Sequence, residues 1–118
     1  MDFKTLDRYI RDKQAVTFDY PFDEKILVYR ILDKIFALIV NENPLELNLK
    51  CDPIYALELR SIFKSIRAGY HMNKKHWNTL TLTNSDLSDE DMQELIDHSY
   101  DLVFQSLSKK KQEQIYTK

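Results

Sequence analysis

The stretch AGYHMNKKHWNTLTL, residues 68–82, gathers the chain's one glycine, Gly69, and its one tryptophan, Trp77, with two of its three histidines, His71 and His76, around the pair Lys74-Lys75. An aromatic ring among several cations suits a phosphate-bearing ligand. The ring stacks a base or another flat group while ammonium and guanidinium groups hold phosphates. Arg67 just before the stretch, His71, Asn73, Lys74, Lys75 and Trp77 within it, and Lys50 on an earlier segment form the candidate binding set. The surrounding charge pattern agrees: no acidic residue occurs between Glu58 and Asp86, a span that holds Arg60, Lys64, Arg67, Lys74 and Lys75. The sign then reverses, with Asp86, Asp89, Glu90, Asp91, Glu94, Asp97 and Asp101 preceding the next lysine, Lys109, so a formal net charge of -2 hides a dipole.

Other chemistries find less support. Cys51, Asp52, His71, His76 and His98 are the metal-ligating types, but His-x4-His is not a zinc spacing and no second Cys or His pair completes four ligands. Cys51 stands just before a helix start, where the dipole favours a thiolate; Asp52 already holds that position and repels a second negative charge, so the residue reads as a buried, inert cysteine. There is no glycine-rich phosphate loop and no nucleophile elbow. No metal, cofactor or catalytic set is expected, and the chain reads as a binding protein rather than an enzyme.

The elements that must position the candidate residues follow from periodicity. Phe3, Leu6 and Ile10 mark an amphipathic helix over about residues 2–14. TFDYPFDE breaks the pattern at Pro21 and reads as an aromatic-rich crossing loop. ILVYRIL and IFALIVN form a hairpin about Asp33-Lys34, and LELNLK alternates strictly, Leu45, Leu47 and Leu49 to one face and Glu46, Asn48 and Lys50 to the other. Asp52 caps a second helix with Pro53 at its first position and an inner stripe of Tyr55, Leu59, Ile62 and Phe63. SIRAGYH and WNTLTLT are two more strands reversing at MNKK. Ser88 caps a last long helix whose inner face is Met92, Leu95, Ile96, Ser99, Val103 and Leu107, and the tail is a short helix.

The sum is one α+β domain over residues 1–118, in the order α-β-β-β-α-β-β-α, with an antiparallel sheet covered by helices on one face. Alternation turns Ile66, Ala68, Tyr70, Leu80 and Leu82 to the core. It turns Arg67, Gly69, His71, Trp77, Thr79 and Thr81 to the wet face beside Glu46, Asn48 and Lys50, leaving an exposed tryptophan on a polar sheet. One glycine where ordinary usage would supply about eight means that Gly69 serves a positive φ, a bulge or a close approach.

With 118 residues the chain makes one core. Its longest apolar run, IFALIV, is too short to span a membrane, its N-terminus carries charges where a signal peptide is apolar, and its single cysteine fits a reducing compartment, all of which point to the cytoplasm.

YPFDEK at 20–25, IFALIV at 35–40, LNLKCDP at 47–53, IRAGYHMNKKHWNTL at 66–80 and ELIDHSYDLV at 94–103, in this order, resemble the bacterial MmcQ/YjbR-like proteins. The resemblance covers nearly the whole chain and departs at the first hairpin turn, often Gly-Lys in that family and Asp33-Lys34 here. It implies a CyaY-like or secretion-chaperone-like fold and a DNA-binding function. The expected partner is therefore DNA or RNA, with a protein partner of a chaperone-like adaptor as the alternative and a small-molecule ligand or an enzyme activity third. The expected state is a monomer or weak dimer away from membranes.

Overall fold

Phe3, Leu6 and Ile10 do fall on one side of a helix, α1 (Phe3–Arg11), whose first turn is capped by the Asp2 carboxylate accepting from the Thr5 N–H at 2.9 Å. The computed structural model describes residues 1–69 and 72–116. The helix stops earlier than its apolar spacing predicts, and the loop expected next contains a strand, β1 (Val16–Asp19). These four residues pair antiparallel with β2 (Ile26–Ile31), from Val16↔Ile31 to Asp19↔Val28, and so form the sheet edge. Pro21 lies just past the strand, where its missing N–H costs no ladder bond.

β2 returns as β3 (Lys34–Val40), and Ile31 pairs with Lys34, so the turn residues are Leu32-Asp33, one position earlier than expected. Leu32 takes φ 56°, the left-handed conformation that a two-residue hairpin loop demands. A register shift between Tyr29 and Arg30 lets both Phe36 and Ala37 turn into the core. β4 (Glu46–Lys50) alternates as predicted, with Leu47 and Leu49 buried.

Asp52 caps α2 (Pro53–Ile62) by accepting from the Tyr55 N–H at 3.2 Å. Its buried residues are Ala56 and Leu59, with Tyr55 and Phe63 packed beside them, whereas Ile62 is 67% exposed and leaves the predicted stripe. Small Ala56 lets the helix lie close to the sheet, which rotates Ile54, Leu57 and Ile62 toward solvent. β5 (Ile66–Ala68) and β6 (Trp77–Thr81) follow. α3 (Asp89–Ser106) begins with a reciprocal capping box between Ser88 and Asp91, and α4 (Lys109–Tyr116) closes the chain.

The sheet has six strands in the order β1-β2-β3-β4-β6-β5, every neighbouring pair antiparallel. The helices supply Leu6, Leu59, Leu95, Ile96 and Ile115 to one cluster with Leu27, Tyr29, Ile39, Leu47 and Leu80 from the sheet. Each such side chain contributes roughly 1.5–3 kcal/mol on burial. The architecture is thus α+β, with one added edge strand relative to the predicted order. None of its described helices is long and apolar enough to cross a membrane.

Candidate functional site

The turn between β5 and β6 is built by side-chain bonds to its own backbone. Asn73 Oδ1 accepts from the Lys75 N–H at 2.9 Å, and the Asn73 carbonyl accepts from the His76 and Trp77 N–H groups at 3.1 and 3.0 Å. Arg60 reaches across from α2 to hold it. Its Nε donates to Asn78 Oδ1 at 2.6 Å, and another guanidinium nitrogen donates to the Lys74 carbonyl and, at 3.3 Å, to that of Trp77. The Cys51 N–H donates to the His76 carbonyl at 2.7 Å, which ties the turn to the start of α2. Arg60 was not a candidate from sequence, although it opens the acid-free span. No periodicity marks a helix residue whose partners are carbonyls in a distant turn.

Trp77 lies on the face opposite the helices, as alternation predicts, but it is not exposed. Only 9% of its surface meets solvent, because Val28 and Leu38 pack against it and Ile26, Ile35 and Met72 flank them. The expectation of a tryptophan free to stack is corrected accordingly: its ring is spent on a small second core. Gly69 is explained by the same residue, through its Cβ and backbone. A Cβ there would sit 2.8 Å from the Trp77 Cβ and 3.1 Å from its carbonyl oxygen, and φ is not positive, so close approach rather than conformation requires glycine.

Besides Trp77, the six other predicted residues divide in four ways. Arg67 does not offer a free charge: it is ion-paired to Glu46 and donates to Thr81 Oγ1 at 2.7 Å. Lys50, the cross-strand partner of Trp77, together with Lys74 and Lys75, makes no ion pair among the described residues. Asn73 is exposed but committed to the turn. His71 lies outside the described residues, as does Tyr70.

What the sequence reading missed is that half of this face is apolar. A groove of about 310 Å³ runs over β2 and β3, lined by Phe22, Ile26, Ile35, Leu38, Val40 and Met72, with Asn48 the one polar side chain among its described lining residues. Asn48 accepts from the Thr79 hydroxyl at 2.6 Å. Phe22, 70% exposed, stands at the groove with its ring open to solvent. The available signal was Tyr20-Pro21-Phe22 itself, two rings in a loop that belong to no buried stripe. Met72, at one end of the groove, stands two residues before Lys74 in the turn.

The covered side of the same junction is closed. Cys51 is buried, and burial, helped by the neighbouring Asp52 carboxylate, pushes its thiol up to about 11. His98 Nε2 accepts from the Asp52 N–H at 3.2 Å, and its ring meets that of Tyr55 edge-on at 5.1 Å. Among the described residues no group of three His, Cys, Asp or Glu side chains is placed to hold a metal ion.

A sequence model of YjbR matches residues 11–102. The uncharacterized protein YbdF of Escherichia coli O157:H7 is 34% identical over 113 residues, covering 95% of this chain and 92% of its own. The uncharacterized protein YjbR of Escherichia coli K12 is 30% identical over 112 residues and 94% of each chain. The crystal structure of Deinococcus radiodurans protein DR2400 superposes with a TM-score of 0.87 at 32% identity, over 96% of this chain and 86% of that one. A Pseudomonas syringae crystal structure gives 0.75 at 28% identity, over 87% and 99%.

Proposed function

The chain belongs to the YjbR family, and from that premise we propose that it is a non-enzymatic nucleic-acid-binding module using the uncovered face of its sheet. One observation carries the reading: Lys50, Lys74 and Lys75, which make no ion pair among the described residues, each stand within three positions of Asn48 or Met72, which line an apolar groove on the sheet face away from the helices. An ammonium group offers three donors to phosphate oxygens, and releasing the counterions condensed on those phosphates drives association. Trp77 does not serve as the stacking surface in this reading. Phe22, with Met72 and the aliphatic floor, takes that role for an unpaired base.

The test is a titration of single- and double-stranded DNA and RNA over a salt series. With three phosphates neutralised, log affinity should fall against log salt with a slope of about -2 for a single strand and nearer -3 for a duplex. The Lys50→Ala/Lys74→Ala/Lys75→Ala variant should lose most of that slope. Phe22→Ala should lower single-strand affinity by roughly 1–3 kcal/mol at every salt concentration. Equal, weak binding by wild type and the triple variant would sink the reading.

A second reading rests on a different observation, the aliphatic lining of the groove. Ile26, Ile35, Leu38, Val40 and Met72 suit the apolar anchor of a protein partner. Such binding would show little salt dependence and a marked loss on Phe22→Ala, with the triple lysine variant nearly unaffected.

A further inference from the structure

On the opposite side of the molecule, a cleft of about 440 Å³ opens among the segment just after α1, the C-terminal half of α3 and the end of α4. Its walls carry Lys13, Asp97, Asp101, Tyr100, Phe104 and Tyr116. The chain already holds a cation there. Lys13 Nζ donates to Asp97 Oδ1 at 2.5 Å, the same oxygen accepts the Tyr9 hydroxyl at 2.7 Å, and the ammonium lies 5.2 Å from the centres of both the Tyr9 and Tyr100 rings.

Lys13 does not saturate the cleft. One ammonium against two carboxylates leaves a single negative charge among the lining residues described, and Asp101 is exposed with no ion pair among them. Beside Asp101 the wall is aromatic. The Tyr100 and Phe104 rings lie 10° from parallel with centres 6.4 Å apart, and Tyr116, 70% exposed, meets Phe104 edge-on at 5.5 Å. The Tyr100 phenol stays neutral well into alkali, because burial and, behind it, the Tyr116 and Asp101 groups raise its ionisation.

We propose that this cleft is a recognition site for one guanidinium group, which pairs with the Asp101 carboxylate and lies against the rings of Tyr100, Phe104 and Tyr116. Guanidinium fits better than ammonium on three counts. It is flat and so lies along an aromatic wall; its paired N–H groups match a carboxylate; and it sheds its hydration more readily than an ammonium. The volume is within the range of small-ligand sites, at its lower end. The site is separate from the sheet groove, and its occupancy does not depend on nucleic-acid binding.

Free arginine and an arginine side chain in a polypeptide both carry this group, and two probes distinguish these sources. N-acetyl-L-argininamide presents the group as a polypeptide does, while L-arginine adds a free ammonium and carboxylate. N-acetyl-L-citrullinamide is the uncharged isostere. Each is titrated into the full-length chain and followed by amide chemical shifts. Saturable shifts confined to the residues around Lys13, α3 and α4 are expected with the argininamide, weaker ones with arginine, and none with the citrulline compound. Tighter binding of arginine than of the amide would assign the site to the free amino acid.

Asp101→Asn should weaken binding about tenfold and Tyr116→Ala several-fold, in keeping with a charge-assisted pair and an exposed cation–ring contact. Both residues are exposed, so the fold should survive either change, and the second variant stands in should the first not fold. Absence of saturable shifts, equal binding of the citrulline compound, or unchanged affinity in the variants would overturn the proposal.

Discussion

Leu38 and Ile39 are consecutive on β3 and point to opposite faces of one sheet, and the two faces are held by different means. Ile39 is fully buried beneath the helices with Leu47 and Leu80, in a cluster that draws on every helix. Leu38, 9% exposed, has only Val28, Trp77 and partly exposed neighbours above it. Each outer edge of the open face carries an arginine paired to a carboxylate, Arg30 with Asp19 at 2.5 Å and Arg67 with Glu46. The covered face spends its side chains on stability. The open face spends most of its own on keeping itself soluble, and what remains unspent, Phe22, the groove and three lysines, is what a ligand can use.

The comparison is most sharply tested by the neighbours themselves. Ile39→Ala should cost about 3–5 kcal/mol, the loss of a fully packed side chain plus the cavity it leaves. Leu38→Ala should cost about 2 kcal/mol or less, since its half-open surroundings can settle or admit water. Urea unfolding of both variants gives the answer, and equal losses would mean that the open face is a second core in its own right.

Arg60 joins the faces. Arg60→Ala should cost about 2–3 kcal/mol, because Asn78, only 2% exposed, loses the donor to its Oδ1 while its amide nitrogen already lacks a partner among the described residues. The same change should speed hydrogen exchange at the Trp77 N–H, which the released turn holds through Asn73. An unaltered exchange rate would show that the turn stands without the guanidinium. Gly69→Ala should cost about 1–3 kcal/mol by overpacking, and should change the near-ultraviolet dichroism of Trp77, against whose Cβ the new methyl would press.

Cys51 reports on the closed side at smaller cost. Its thiol ionises near 11 in the folded chain and at its ordinary, lower value when unfolded, so rising pH ionises the unfolded state first. Stability is therefore intact below about pH 8.5 and falls as pH rises from there toward 11. Cys51→Ser should remove that part of the alkaline loss, and thiol reagents at neutral pH should modify the native wild type slowly. Rapid modification would mean that the junction of β4 and α2 opens readily.

How far the sequence revealed all this follows the same division. The covered face was legible because burial writes itself as periodicity: Leu6, Leu59 and Leu95 are core residues as their spacing predicts, and Asp52, Pro53 and Ser88 start helices where they stand. Where one face is half-buried the pattern gives direction without depth. Trp77 was assigned the right side of the sheet, yet whether Val28 and Leu38 cover its ring depends on strands far away in the chain. β1 was hidden because four residues before a proline carry too little pattern to outweigh the loop signal. The Arg67 pairing was hidden because Glu46 lies 21 positions away on another strand. The candidate set was therefore legible as a list of residue types, but not in which of its cations remain free.

That last distinction yields the smallest effect on stability and the finest test of the open face. Arg67 and Glu46 are partly solvent-exposed, so their pair is worth about 0.2–1 kcal/mol, and Glu46→Gln should lower stability by no more than that. Its effect on binding runs the other way. Removing the carboxylate frees the guanidinium on the face that carries Lys50, Lys74 and Lys75, and one further phosphate contact should steepen the salt slope by about 0.7–0.9. Arg67→Ala should leave the wild-type slope nearly unchanged, because Glu46 already neutralises that charge, yet the same change made in the Glu46→Gln background should abolish the gain. Salt titrations of these four proteins form a closed cycle. If Arg67→Ala alone flattens the slope by a full contact, the arginine leaves its partner for the phosphate, and the open face is less committed to its own solubility than its ion pairs imply.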